Sequence, residues 1–64
     1  MNYLVEVKDK NGEWKFFSKH KNLSLASQAA ELINFNDEFI VRINDKLNNK
    51  IIDLPKLPKI IQRF

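Results

Sequence analysis

The chain has 64 residues, 44% of them hydrophobic and 30% charged, with one glycine and a formal charge of +3. It has no cysteine, which excludes disulfides and thiolate metal sites, and its one histidine, His20, excludes a multi-histidine site. A domain this small buries only about 60% of the surface its unfolded chain exposes, so the support it needs points to oligomerisation or a bound partner.

Tyr3 to Lys8 alternates with period two and is rich in β-formers, which predicts a strand. Asn11-Gly12 follows, and both residues tolerate the positive φ that a two-residue type I′ turn requires. Trp14 to His20 is then a second strand. With the two-residue turn, Val7 faces Phe16, Val5 faces Ser18 and Tyr3 faces His20, all sharing a face with Trp14. A three-residue loop sets Lys15 and Lys19 beside Val7 and Tyr3, so the shorter turn is the expected one.

The period changes between Leu23 and Asn34. Leu25, Ala29, Leu32 and Ile33 fall at i, i+4, i+7 and i+8, the expected buried face of a helix. Ser24 is the expected N-cap, its hydroxyl accepting from a backbone N–H of the first turn. Ala26 and Ala30 widen the apolar side, and an alanine-lined flank admits close approach of the sheet or of a partner. Turn formers end the helix at Asn34-Phe35-Asn36-Asp37. Glu38 to Asn44 predicts a third strand, with Phe39, Val41 and Ile43 on one face. Asp45 to Asn49 reads as a turn and Lys50 to Leu54 as a short fourth strand, after which Pro55 and Pro58 end regular pairing.

The expected fold is therefore α+β: a small antiparallel sheet with one helix in β-β-α-β-β order, plus an extended C-terminal tail. Residues 1–54 form the single domain and residues 55–64 a Pro-containing basic tail. The charge divides in the same way. Residues 1–45 carry a net of −1 and residues 46–64 a net of +4, so the overall +3 is weak support for nucleic acid as partner. No apolar run approaches the ~18–20 residues of a membrane span, and the alternating first residues do not form a signal-peptide block.

Little in the sequence carries catalysis. Ser18, Ser24 and Ser27 have only His20 as a base, and the adjacent carboxylates Asp37 and Glu38 point to opposite faces of a strand start. Gly12 is the only glycine, so there is no phosphate-cradling loop. The reading is a protein without catalytic residues, metal or cofactor. On the outer sheet face, Leu4, Phe17 and Ile40 form an expected apolar patch ringed by Glu6, Lys15, Lys19 and Arg42. A homodimer or partner interface is the favoured use of that patch. The alternative is a DNA- or RNA-binding platform, with Phe17 stacking a base and Lys15, Lys19 and Arg42 holding phosphates. The tail, folding back through Leu57, Ile60 or Phe64, is a third candidate to cover it.

One stretch is more specific. His20-Lys21-Asn22-Leu23-Ser24-Leu25 stands at the strand-to-helix junction, after an Asn-Gly hairpin and Phe16-Phe17, and before Asp37-Glu38, Ile40 and Asp45-Lys46. In that order and spacing, residues 9–47 resemble the small uracil-DNA glycosylase inhibitors of short-tailed Bacillus phages. The resemblance implies a phage protein that acts in the bacterial cytoplasm, folds as a β-β-α-β unit, dimerises, and blocks the DNA-binding face of the host's uracil-DNA glycosylase. Members of that family present carboxylates in place of DNA phosphates and engage an apolar side chain of the enzyme through a helix aromatic. Here Gln28 and Ala29 occupy the positions of the family's aromatic and acidic contacts, and Leu32 that of its later aromatic. The expected partner-binding set is accordingly Gln28, Glu31, Leu32, Phe35, Asp37 and Glu38. In it, Leu32 and Phe35 supply the apolar contact, and Glu31, Asp37 and Glu38 mimic phosphates.

Overall fold

A computed structural model of the chain describes residues 2–36 and 38–55. Asp37 and the tail from residue 56 onward lie outside the described residues. The elements are β1 (Tyr3–Lys8), β2 (Trp14–His20), α1 (Leu23–Asn34), β3 (Ile40–Asp45) and β4 (Lys50–Asp53). They form one antiparallel four-stranded sheet in the order β2-β1-β3-β4. This is the α+β fold, in β-β-α-β-β order, that the sequence periodicities predict.

The core lies between the helix and one sheet face. Val5, Val41 and Ile43 are buried there against Ala26 and Ala30, with Tyr3, Ala29, Ile33, Phe39, Ile52 and Leu54 packed around them. Cross-strand rows set this face. Val5 lies between Ser18 and Ile43, Ile52 pairs with Ile43, and Val7 pairs with Val41.

The first hairpin corrects the expected register. Asp9 to Glu13 closes as a three-residue loop: the Asp9 N–H donates to the Glu13 carbonyl (3.0 Å) and the Gly12 N–H to the Asp9 carbonyl (3.0 Å). The Asp9 carboxylate also accepts from the N–H groups of Asn11 (2.9 Å) and Glu13 (3.1 Å). Asp at the first position of a type I turn, with glycine at the fourth in left-handed geometry, is what stabilises this loop; Gly12 sits at φ 81° and Asn11 does not have positive φ.

The longer loop turns over the near end of β2. Val7 now faces Lys15, Glu6 faces Phe16 and Lys8 faces Trp14. Phe16 and Trp14 therefore leave the expected inner row. A β-bulge between Val5 and Glu6, with Phe17 as the extra residue, then restores Val5 to Ser18 and Tyr3 to His20. The misplaced lysine is compensated locally, because the Lys15 ammonium reaches the Asp9 carboxylate at 3.2 Å.

Half of the expected helix face packs on the core: Ala29 and Ile33 do, Leu25 and Leu32 do not. Ala26 and Ala30 are fully buried and form its contact line with the sheet, whereas Leu25 and Leu32 are exposed. Methyl side chains let the helix backbone approach the sheet closely, and leucines on that line would hold it away. The N-cap is Asn22, not Ser24: the Asn22 Oδ1 accepts from the Leu25 N–H at 2.9 Å. Strand β3 begins two residues later than expected and includes Asp45; β4 ends one residue earlier.

The second hairpin is also built on an aspartate. Asp45 is only 2% exposed. Its carboxylate accepts from the Asn48 backbone N–H (3.1 Å) and from the Asn48 Nδ2 (2.9 Å). The Asn48 side chain foremost holds the Asp45 carboxyl below its ordinary range. Asn49, at φ 56°, completes the reversal in left-handed geometry.

Candidate functional site

The helix face turned from the sheet gathers most of the expected partner-binding set. Gln28, Glu31, Leu32 and Phe35 are all exposed along it. The two large apolar side chains are the most exposed of their kind among the described residues: Leu32 at 74% and Phe35 at 81%. Leu25 lies about two turns ahead of Leu32 at 47%, so Leu25, Gln28, Leu32 and Phe35 make one row about 15 Å long at 1.5 Å rise per residue. Glu38 is exposed beyond the helix end, its N–H donating to the Asn36 Oδ1 at 2.9 Å. Asp37 lies outside the described residues.

Backbone geometry explains why the row stands free. With Ala26 and Ala30 against the sheet, positions 28, 32 and 35 fall on the far side of a 3.6-residue helix. No charged residue occupies the first helical turn as an acid or the last as a base. The C-terminal end of the helix, which carries partial negative charge, thus has no cation from its own sequence.

Behind the row, at the bulged end of the hairpin, lies an apolar groove of about 200 Å³. Val7, Phe16, Phe17, Ile33 and Phe39 line it, together with the paired Asp9 and Lys15. The Asp9 carboxyl is held below its ordinary range, chiefly by the Glu13 N–H. The bulge is what brings two adjacent phenylalanines to this groove.

The outer sheet face is organised differently from the expected patch. Leu4 lies in the row of Lys19 and Asn44, and Ile40 in the row of Lys8 and Trp14. Between those rows stand Phe16, Glu6 and Arg42. The Arg42 Nε donates to the Glu6 Oε1 at 2.7 Å, and its guanidinium stacks 4.0 Å from the Trp14 ring centre. Leu4 and Ile40 are thereby separated by a stacked ion pair, and Phe17 sits at the bulge. The three-residue Asp9 loop is the signal that turns Trp14 to this face, and the β1–β3 alignment sets Glu6 beside Arg42.

His20 does meet a serine. The Ser18 Oγ and the His20 Nε2 are 2.8 Å apart, on the same strand and on its inner face. A serine nucleophile also needs an oriented imidazole and donors for the developing oxyanion, and among the described residues no carboxylate hydrogen bond to His20 is recorded. Among the described residues no group of His, Asp and Glu is arranged to hold a metal ion, and no helix is long and apolar enough to cross a membrane.

Neither a family model, nor a curated protein, nor a solved structure matches this chain.

Proposed function

We propose that this protein is a non-catalytic inhibitor that works by binding another protein, and that its target is a bacterial uracil-DNA glycosylase. The observation that carries the reading is the exposed helix row, where Leu32 and Phe35 are 74% and 81% open beside the exposed carboxylate of Glu31. Apolar side chains this open, on an otherwise ordered helix, are what a protein partner buries. The carboxylates of Glu31 and Glu38 flank them and stand in for phosphates before a basic DNA-binding face. The likeness of residues 9–47 to the small phage inhibitors supplies the identity of the target. With it come the homodimer and the bacterial host cytoplasm as the place of action.

The nucleic-acid reading draws on the exposed Phe16 and Phe17 with Lys19 nearby. It is weakened because two of its cations are already paired, Arg42 with Glu6 and Lys15 with Asp9, and because Lys15 faces Val7 instead of the outer face. Titration of the protein into a bacterial uracil-DNA glycosylase separates the two. Stoichiometric addition is expected to abolish uracil release, and an unchanged rate at large molar excess would refute the inhibitory reading. Retention on DNA that weakens with salt, by about 0.9 in log K per log salt for each phosphate contacted, would favour nucleic acid instead.

A further inference from the structure

The two edge strands of the sheet are built differently. Strand β2 carries Lys15 and Lys19 and is broken by the bulge at Phe17, two devices that keep an edge from pairing with another chain. Strand β4 pairs with β3 without a bulge and has no proline within it. We propose that β4 pairs antiparallel with β4 of a second copy of this chain, joining two four-stranded sheets into one of eight strands.

The first support is what β4 presents at its edge. The Leu54 N–H donates to the Val41 carbonyl at 3.2 Å. Hydrogen-bonded pairs alternate with unbonded ones along an antiparallel ladder, so Ile52 and Lys50 also turn their backbone groups to β3. Ile51 and Asp53 turn theirs the other way, where no described strand pairs with them, and both residues are exposed.

The second support is register. Symmetric pairing keeps the two inner faces together, so it sets Ile51, Ile52 or Asp53 opposite its own copy. With Ile52 at the centre, Ile51 of each chain lies opposite Asp53 of the other, and four inter-chain hydrogen bonds form. Lys50 then lies opposite Leu54, and each Asp53 keeps Arg42 as its cross-strand neighbour. Centring on Asp53 opposes two like charges. Centring on Ile51 sets Asp53 against Asn49, which is in left-handed turn geometry at φ 56°.

The third support is apolar cover. The helix lies over β1, β2 and β3 but not over β4, and Ile52 and Leu54 on the inner face are only half-buried. Pairing brings the two Ile52 residues together at an unbonded position, with Cα atoms about 4.5 Å apart, and lays the Lys50 stem on Leu54. Association of this kind is a usual support for so small a domain. It supplies the seam for the homodimer in the proposed reading and rests on that part of it alone. Helix α1 is outside the seam, so its exposed row stays available to a target.

The chain has no cysteine, so single cysteines report the seam in the full-length protein. Ile52→Cys and Ile51→Cys are each oxidised mildly, and the disulfide-linked dimer is followed over time. The two copies of residue 52 stand at a separation that a disulfide spans, so Ile52→Cys is expected to link about tenfold faster than Ile51→Cys, although Ile51 is the more exposed side chain. Equal rates or a faster Ile51→Cys would overturn the seam. A second pair reads the backbone. Ile51→Pro removes an outward N–H and leaves the ladder to β3 whole, whereas Ile51→Thr removes the same apolar side chain and keeps the N–H. In sedimentation equilibrium Ile51→Pro is expected to raise the dimer dissociation constant at least about tenfold above that of Ile51→Thr. The cysteine pair keeps the test decisive if the proline variant fails to fold. Equal dimerisation of the two variants would overturn the seam and leave the homodimer; a parent that stays monomeric at every concentration would overturn both. No glycosylase is present, so these outcomes are separate from whether the protein inhibits one.

Discussion

The two sides of α1 invert the usual relation between size and burial. The side against the sheet is built on Ala26 and Ala30, both at 0% exposure, while the far side displays Leu32 and Phe35. Burying a leucine or phenylalanine side chain is worth about 1.5–3 kcal/mol. A helix that fully buries two methyl groups, packs Ala29 and Ile33 only in part and leaves Leu32 and Phe35 in water forgoes much of what it could contribute. The comparison teaches that helix-to-sheet distance, set by the alanines, fixes the domain. Leu32 and Phe35 stand outside that packing, and the proposed binding role draws on them.

The largest expected effect comes from disturbing the small side. Ala30→Leu would force the helix off Val5, Val41 and Ile43, costing about 1–3 kcal/mol. In a domain of this size that lowers the thermal midpoint by roughly 4–8 °C per kcal/mol, measurable by calorimetry. An unchanged midpoint would mean that the alanines do not set the spacing. The cap that fixes the start and rotation of the helix comes next. Asn22→Ala is expected to cost about 1 kcal/mol, whereas Ser24→Ala should be close to neutral, since the hydrogen bond to Leu25 comes from Asn22. Denaturant unfolding of both variants checks the pair. The smallest effect on stability belongs to the large side. Leu32→Asn and Phe35→Asn should each stay within about 0.5 kcal/mol of the parent.

Acid provides a further comparison, between the two aspartate-built hairpins. Asp9 and Asp45 are both held below their ordinary value of 3.8, by the Glu13 N–H and the Asn48 side chain respectively. A carboxyl depressed in the folded state contributes stability that is fully present above its unfolded value and is lost as pH falls through its folded value. Thermal midpoints should therefore be flat near neutrality and fall once the pH drops below about 4. Asp45→Asn should flatten part of that fall, as midpoints measured across the acid range will show.

The kinds and order of the elements were legible in the sequence because each depends on a local period: two for β1 and β2, near 3.6 for α1. What was not legible depends on ties that period cannot break. The helix offers two adjoining apolar sectors, one with Leu25 and Leu32 and one with Ala26 and Ala30. Hydrophobicity favours the leucines, whereas close packing against Val5 and Val41 favours the alanines. Asn11-Gly12 signals a tight hairpin, but Asp9 two residues earlier selects the three-residue loop through its own side-chain hydrogen bonds. The bulge at Phe17 then repairs the register, and a long-range repair of that kind leaves no local mark. Of the candidate site, Gln28, Glu31, Leu32 and Phe35 fall together on one exposed face. Leu4 and Ile40 are divided by Glu6 and Arg42, a pairing that rests on the β1–β3 alignment.

The central claim is that the far side of α1 is a binding surface with little part in the fold. It is tested most directly by adding the parent and the Leu32→Asn, Phe35→Asn double variant to a bacterial uracil-DNA glycosylase, with thermal midpoints of both proteins measured in parallel. The account predicts that the double variant keeps the parent's midpoint within a few degrees and loses inhibition. A double variant that inhibits as well as the parent would contradict it.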